Sequence, residues 1–88
     1  MVKTIAVCGG SGSFLLRDAM SKRADVFVTS DFKYHEFFDA DGKNMIADVG
    51  HYESEWRTSQ LIANRIKEKF TNFAVCLASA NTNPVQIR

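Results

Sequence analysis

The chain has 88 residues, 45% of them apolar and 24% charged, with seven Phe and one Pro. That composition describes one small globular domain and excludes a disordered or collagenous chain, or one with room for both a catalytic and a substrate domain. Eleven Lys and Arg face ten Asp and Glu, a net charge of +1, so no basic surface for nucleic acid is indicated.

No apolar run approaches the roughly 18 residues of a membrane span. The start, Met1-Val2-Lys3-Thr4, has no signal-peptide pattern, and a cytoplasmic protein is expected. Cys8 and Cys76 each sit inside an apolar run, with no CxxC or zinc spacing. They read as buried free thiols.

In chain order, four nearly continuous apolar runs predict strands at Lys3–Cys8, Asp25–Thr29, Asn44–Asp48 and Phe73–Ala78. Such runs suit strands covered on both faces. Leu15, Leu16, Ala19 and Met20 share one face of a predicted helix over Ser13–Lys22. Asp31–Asp41, aromatic and acidic, reads as a loop with a short helix. Trp56, Ile62, Ala63, Ile66 and Phe70 recur at helical spacing within His51–Phe70. Acids there come early (Glu53, Glu55) and bases late (Arg65, Lys67, Lys69), matching the helix dipole. The expected fold class is α/β, a mostly parallel sheet of about four strands with flanking helices, in one domain spanning residues 1–88.

Three segments could carry chemistry. Gly9-Gly10-Ser11-Gly12-Ser13 follows a strand and precedes a helix, where backbone amides can cradle an anion. It lacks the Lys-Ser/Thr of a P-loop and the third glycine of a dinucleotide fingerprint, so a tight strand-to-helix turn with no ligand is the favoured reading and a phosphate or carboxylate cradle the alternative. Thr29-Ser30-Asp31-Phe32-Lys33-Tyr34-His35 ends the second strand. Its ionisable groups are either solvated loop charges or functional, with His35 and Lys33 as candidates for proton transfer or substrate charge. Asp48-Val49-Gly50-His51-Tyr52-Glu53-Ser54-Glu55 ends the third strand, where open α/β sheets place ligands. His51 and Glu55 are four apart, roughly 6 Å of rise and about 40° of rotation on a helix. Both then share one face and can ligate a metal; the bland alternative is a solvated first turn.

Together, Ile5–Ser13, Ala24–His35 and Ala47–Glu55 resemble the carboxyl-terminal part of the NIF-three-like family, whose members are often called GTP cyclohydrolase I type 2 homologs. The tail Asn81-Thr82-Asn83-Pro84-Val85 is also similar. The resemblance implies a dinuclear site of divalent ions (Zn, Fe, Mn or Co), with His51 and Glu55 as ligands. Asp31 and Tyr34 would then be outer partners or substrate contacts. The family's His-His pair and a further Asp belong to an amino-terminal half, and no His-His pair occurs here. A carboxyl-terminal fragment with an incomplete site is therefore expected, holding metal weakly, exchangeably or not at all. The family also implies a hexameric toroid, with self and the amino-terminal half as partners.

The implied function is part of a metal-dependent hydrolase or cyclohydrolase acting on a nucleotide-like substrate. The alternative is a non-enzymatic binding or assembly module, with Phe32, Tyr34, Phe37, Phe38 and Trp56 as its contact surface. A free-standing nucleotide binder using the Gly9–Ser13 turn ranks last, because its fingerprint is incomplete.

Overall fold

The computed structural model describes residues 1–87, which divide into a compact unit from Met1 to Glu55 and a second from Trp56 onward. In the first unit, β1 (Ile5–Ser11), β2 (Val26–Ser30) and β3 (Met45–Asp48) form a parallel sheet in the order β1-β2-β3. Parallel neighbours require crossovers. A 3-10 turn (Ser13–Leu15) running into α1 (Leu16–Ser21) makes the first, and a 3-10 helix (Tyr34–Ala40) makes the second. Chain direction then delivers all three carboxyl ends to one edge.

The register places Ala6, Phe27 and Ile46 side by side across the sheet. This face packs on α1. Leu16, Ala19, Ala24 and Phe27 are the buried cluster, flanked by Ala6, Cys8, Leu15, Met20, Phe32 and Ile46. α1 ends in a Schellman-type cap: the Arg23 amide bonds the Met20 carbonyl and the Ala24 amide bonds the Ala19 carbonyl. Arg23 occupies the left-handed position normally given to glycine, at φ 57°.

Asp25 fastens the start of the sheet. Its Oδ2 accepts the backbone amides of Lys3 at 2.8 Å and Thr4 at 2.9 Å. These bonds, led by Lys3, hold its carboxyl below the ordinary range. A lowered native value means that the anchor is complete above the unfolded pKa. It is lost as pH falls through the native one. The stability difference between wild type and Asp25→Asn, read as a urea midpoint, is therefore expected to narrow as pH drops below about 4. A difference that stays constant down through that range removes Asp25 as an anchor.

Several expectations are corrected. The sheet has three strands, not about four, because Phe73–Ala78 forms no regular structure. An apolar run is a strand only where another strand supplies hydrogen bonds, and local pattern cannot provide one. Coverage on both faces also fails: Ile5, Val7 and Met45, on the face opposite Phe27, are exposed. Cys8 is half-buried against the core cluster and Cys76 is exposed, so neither thiol is fully buried.

The single helix expected over His51–Phe70 is broken at Trp56–Arg57 into α2 (His51–Glu55) and α3 (Thr58–Lys69). Of the apolar stripe on α3 only Ala63 is buried. No helix among the described residues is long and apolar enough to cross a membrane.

Candidate functional site

The carboxyl edge of the sheet gathers the candidate groups of the first unit. β1 runs through Gly9 and Gly10 to Ser11, and its pairing with β2 shifts register between Val7 and Ser11, where Ser11 meets Ser30. The hydroxyls of Thr29 and Ser30, both fully buried, donate to the Gly10 carbonyl. Asp31 follows directly, in the left-handed conformation at φ 62°.

From β3 the chain turns at Gly50, whose φ of 89° suits glycine. The Asp48 carboxylate holds this turn, accepting the amides of Gly50 at 3.1 Å and Phe32 at 3.2 Å. α2 then begins at His51. Ser54 ties it to β1, its Oγ accepting the Gly10 amide at 2.9 Å while donating to the His51 carbonyl at 2.8 Å.

His51 stands between two carboxylates. Its Nδ1 is 2.6 Å from Asp31 Oδ2, and its Nε2 is 3.0 Å from Glu55 Oε2. The Ser11 hydroxyl donates to Asp31 Oδ2 and lies 3.3 Å from His51 Nδ1. The bond to Asp31 is the largest cause raising the His51 pKa, with the Glu55 charge adding to it against partial burial. Asp31 is lowered, first by the Ser11 hydroxyl and then by His51.

Gly10 is the floor of this arrangement. A Cβ there would collide with Glu55 Oε1 and lie 3.1 Å from His51 Nε2. The glycine lets the backbone come up against both side chains.

The sequence-predicted residues separate into two groups. His51, Glu55 and Asp31 come together, and Ser11 and Gly10 join them. Lys33, Tyr34 and His35 sit on the exposed start of the 3-10 helix. There Tyr34 packs its ring on His35 at 5.2 Å and on Phe38 at 5.4 Å. The Gly9–Gly12 run is mostly strand, and the Gly10 amide is engaged by Ser54 rather than free for an anion. Sequence reading missed Ser54, Thr29 and Ser30 as supports. Thr29 and Ser30 reach Gly10 through the parallel pairing of β1 and β2, and Ser54 reaches it from α2, so no local sequence signal marked them.

The donors fit part of a cation's coordination shell. Two ligands at roughly 2.0–2.1 Å from one zinc, at the tetrahedral angle, stand about 3.3 Å apart. His51 Nε2 and Glu55 Oε2 are 3.0 Å apart, and both side chains are about half exposed. Among the described residues no group of three or more His, Cys, Asp or Glu converges as a full cation site.

Known proteins share this architecture. A GTP cyclohydrolase 1 type 2 homolog of Staphylococcus aureus (strain MSSA476) is 40% identical over 91 residues, covering 97% of this chain and 24% of that protein. The Streptococcus pneumoniae homolog of the same name is 32% identical, covering 94% of this chain and 33% of its own length. The chain thus spans a quarter to a third of these relatives. The crystal structure of Staphylococcus aureus protein SA1388 superposes with a TM-score of 0.76 at 33% identity, over 99% of this chain and 30% of that one. A Bacillus cereus protein related to NIF3 gives 0.73 at 28% identity, over 99% and 25%. A family model, Duf34/NIF3 (NGG1p interacting factor 3), matches residues 1–84, a span that contains both the parallel sheet and the His51–Glu55 helix. On sequence and fold together, the chain belongs to the Duf34/NIF3 family.

Proposed function

We propose that this chain contributes two ligands, His51 and Glu55, to a divalent-cation site of a metal-dependent hydrolase or cyclohydrolase. The observation that supports it is the 3.0 Å approach of His51 Nε2 to Glu55 Oε2 at the carboxyl edge of a parallel sheet. Ligands of α/β proteins bind at that edge. A bound cation supplies electrophilic activation for hydrolysis, and Zn, Fe, Mn and Co all suit an imidazole and a carboxylate. The chain's own contribution is to hold the two donors on one short helix over the Gly10 backbone.

The substrate class is nucleotide-like. Lys33 would meet its charge, and His35, with Tyr34 packed against it, would move a proton. The remaining donors would come from residues outside this chain, in a dinuclear site of a self-associating, hexameric assembly. The exposed apolar side chains of Ile5, Val7 and Met45 offer a surface for such association.

Mn²⁺ titration with NMR detection tests the site, because paramagnetic broadening reports weak binding. Low Mn²⁺ is expected to broaden the His51 ring and the neighbouring Gly10 amide first, and His35 only at higher Mn²⁺. Glu55→Gln should weaken that selective effect at least about tenfold. Equal broadening of His35 and His51, unchanged by Glu55→Gln, would rule out the site.

A further inference from the structure

We propose that Ser11 and Asp31 are positioning residues that hold neutral His51 as its Nδ1-protonated tautomer, leaving Nε2 as the cation-binding nitrogen beside Glu55. The choice of nitrogen rests on the metal-site reading above; the tautomer itself does not.

A carboxylate accepts hydrogen bonds and cannot donate them. His51 Nδ1, 2.6 Å from Asp31, therefore carries its proton toward Asp31. The Nε2 contact with Glu55 is longer, at 3.0 Å. When the ring holds a single proton, the shorter and better supported bond retains it. The lone pair then opens on the Glu55 side, where a second donor already stands.

Two further features hold Asp31 in this role. The Ser11 hydroxyl donates to the same Oδ2 that faces His51, so the carboxylate is oriented from the β1 side as well. Asp31 also takes a left-handed backbone conformation, φ 62°, which non-glycine residues seldom occupy. It does so immediately after the Ser11–Ser30 pairing of β1 and β2. Imidazole ligands of metals commonly donate their second nitrogen's proton to a carboxylate, which fixes both tautomer and ring orientation.

Asp31→Asn tests this with little disturbance of the backbone, since Asn tolerates the left-handed region as well as Asp does. One atom of residue 31 faces both Ser11 and His51; an amide NH₂ at that position has two protons, one for the Ser11 Oγ and one for Nδ1, and so favours the opposite tautomer. Nitrogen-15 NMR of the metal-free 88-residue chain, above the His51 titration, reads the tautomer directly. Wild type is expected to show Nδ1–H, and Asp31→Asn a raised Nε2–H population. Mn²⁺ affinity at His51 should fall about 10- to 100-fold in Asp31→Asn, with a smaller loss in Ser11→Ala.

An Nε2–H tautomer in wild type overturns the proposal. So does an Asp31→Asn chain that changes tautomer but keeps wild-type Mn²⁺ affinity. If the wild-type chain takes no Mn²⁺ at His51, the metal-site reading fails on its own, while the nitrogen-15 measurement still decides for or against positioning by Asp31.

Discussion

Phe27→Ala is expected to abolish most of the cooperative unfolding of the parallel sheet. Phe27 is 2% exposed and sits at the centre of the only buried apolar cluster described, with Leu16, Ala19 and Ala24 around it. Its ring also meets Phe32 edge-on, with centroids 6.2 Å apart. Truncating a buried Phe costs about 3–5 kcal/mol. Small domains hold about 0.05–0.15 kcal/mol of stability per residue, so this loss takes much of the total. Thermal unfolding followed by far-UV circular dichroism should fall by at least about 12 °C or lose its sigmoid. Phe14→Ala, on a side chain that is 77% exposed, should stay within about 0.5 kcal/mol of wild type. A Phe27→Ala melt close to that of Phe14→Ala would show that the core lies elsewhere.

Gly10→Ala is expected to damage the site and the fold together. The residue has φ +70°, and a Cβ there would collide with Glu55 Oε1. The left-handed conformation costs a non-glycine residue about 1–2 kcal/mol. Movement of the backbone to relieve it pulls the Gly10 carbonyl from the buried hydroxyls of Thr29 and Ser30. Leaving either hydroxyl unpaired adds about 1–3 kcal/mol. The His51–Glu55 approach opens at the same time, so selective Mn²⁺ broadening of His51 should disappear. Gly9→Ala is the control: its Cβ meets Glu55 Cγ and the Ser54 carbonyl at 3.9 Å, an ordinary contact, and its φ is not positive. Equal behaviour of the two variants in both measurements would contradict the role given to Gly10.

Local pattern made much of the first unit legible. Continuous apolar runs located β1, β2 and β3 to within a few residues, and the spacing of Leu15, Leu16, Ala19 and Met20 located α1. The i,i+4 spacing of His51 and Glu55 predicted a shared face, and the two side chains lie 3.0 Å apart. The pattern failed at Phe73–Ala78, where apolar residues occur without a pairing partner. It failed again at Trp56–Arg57, where unbroken helical spacing hides a break between α2 and α3. Periodicity reports which face of an element is apolar; it does not report what the element pairs with or where the backbone departs from a helix.

By itself the sequence determined the α/β class, the strand–helix alternation and the His51–Glu55 pair, because each depends on neighbours within a few residues along the chain. Tertiary structure alone decided that Ser11, Asp31 and His51 meet, across 20 residues between Ser11 and Asp31 and 20 more to His51. It also decided that Gly10 lies beneath Glu55. Those contacts depend on parallel strand register, a hydrogen-bond property of paired strands that no single strand's residues encode.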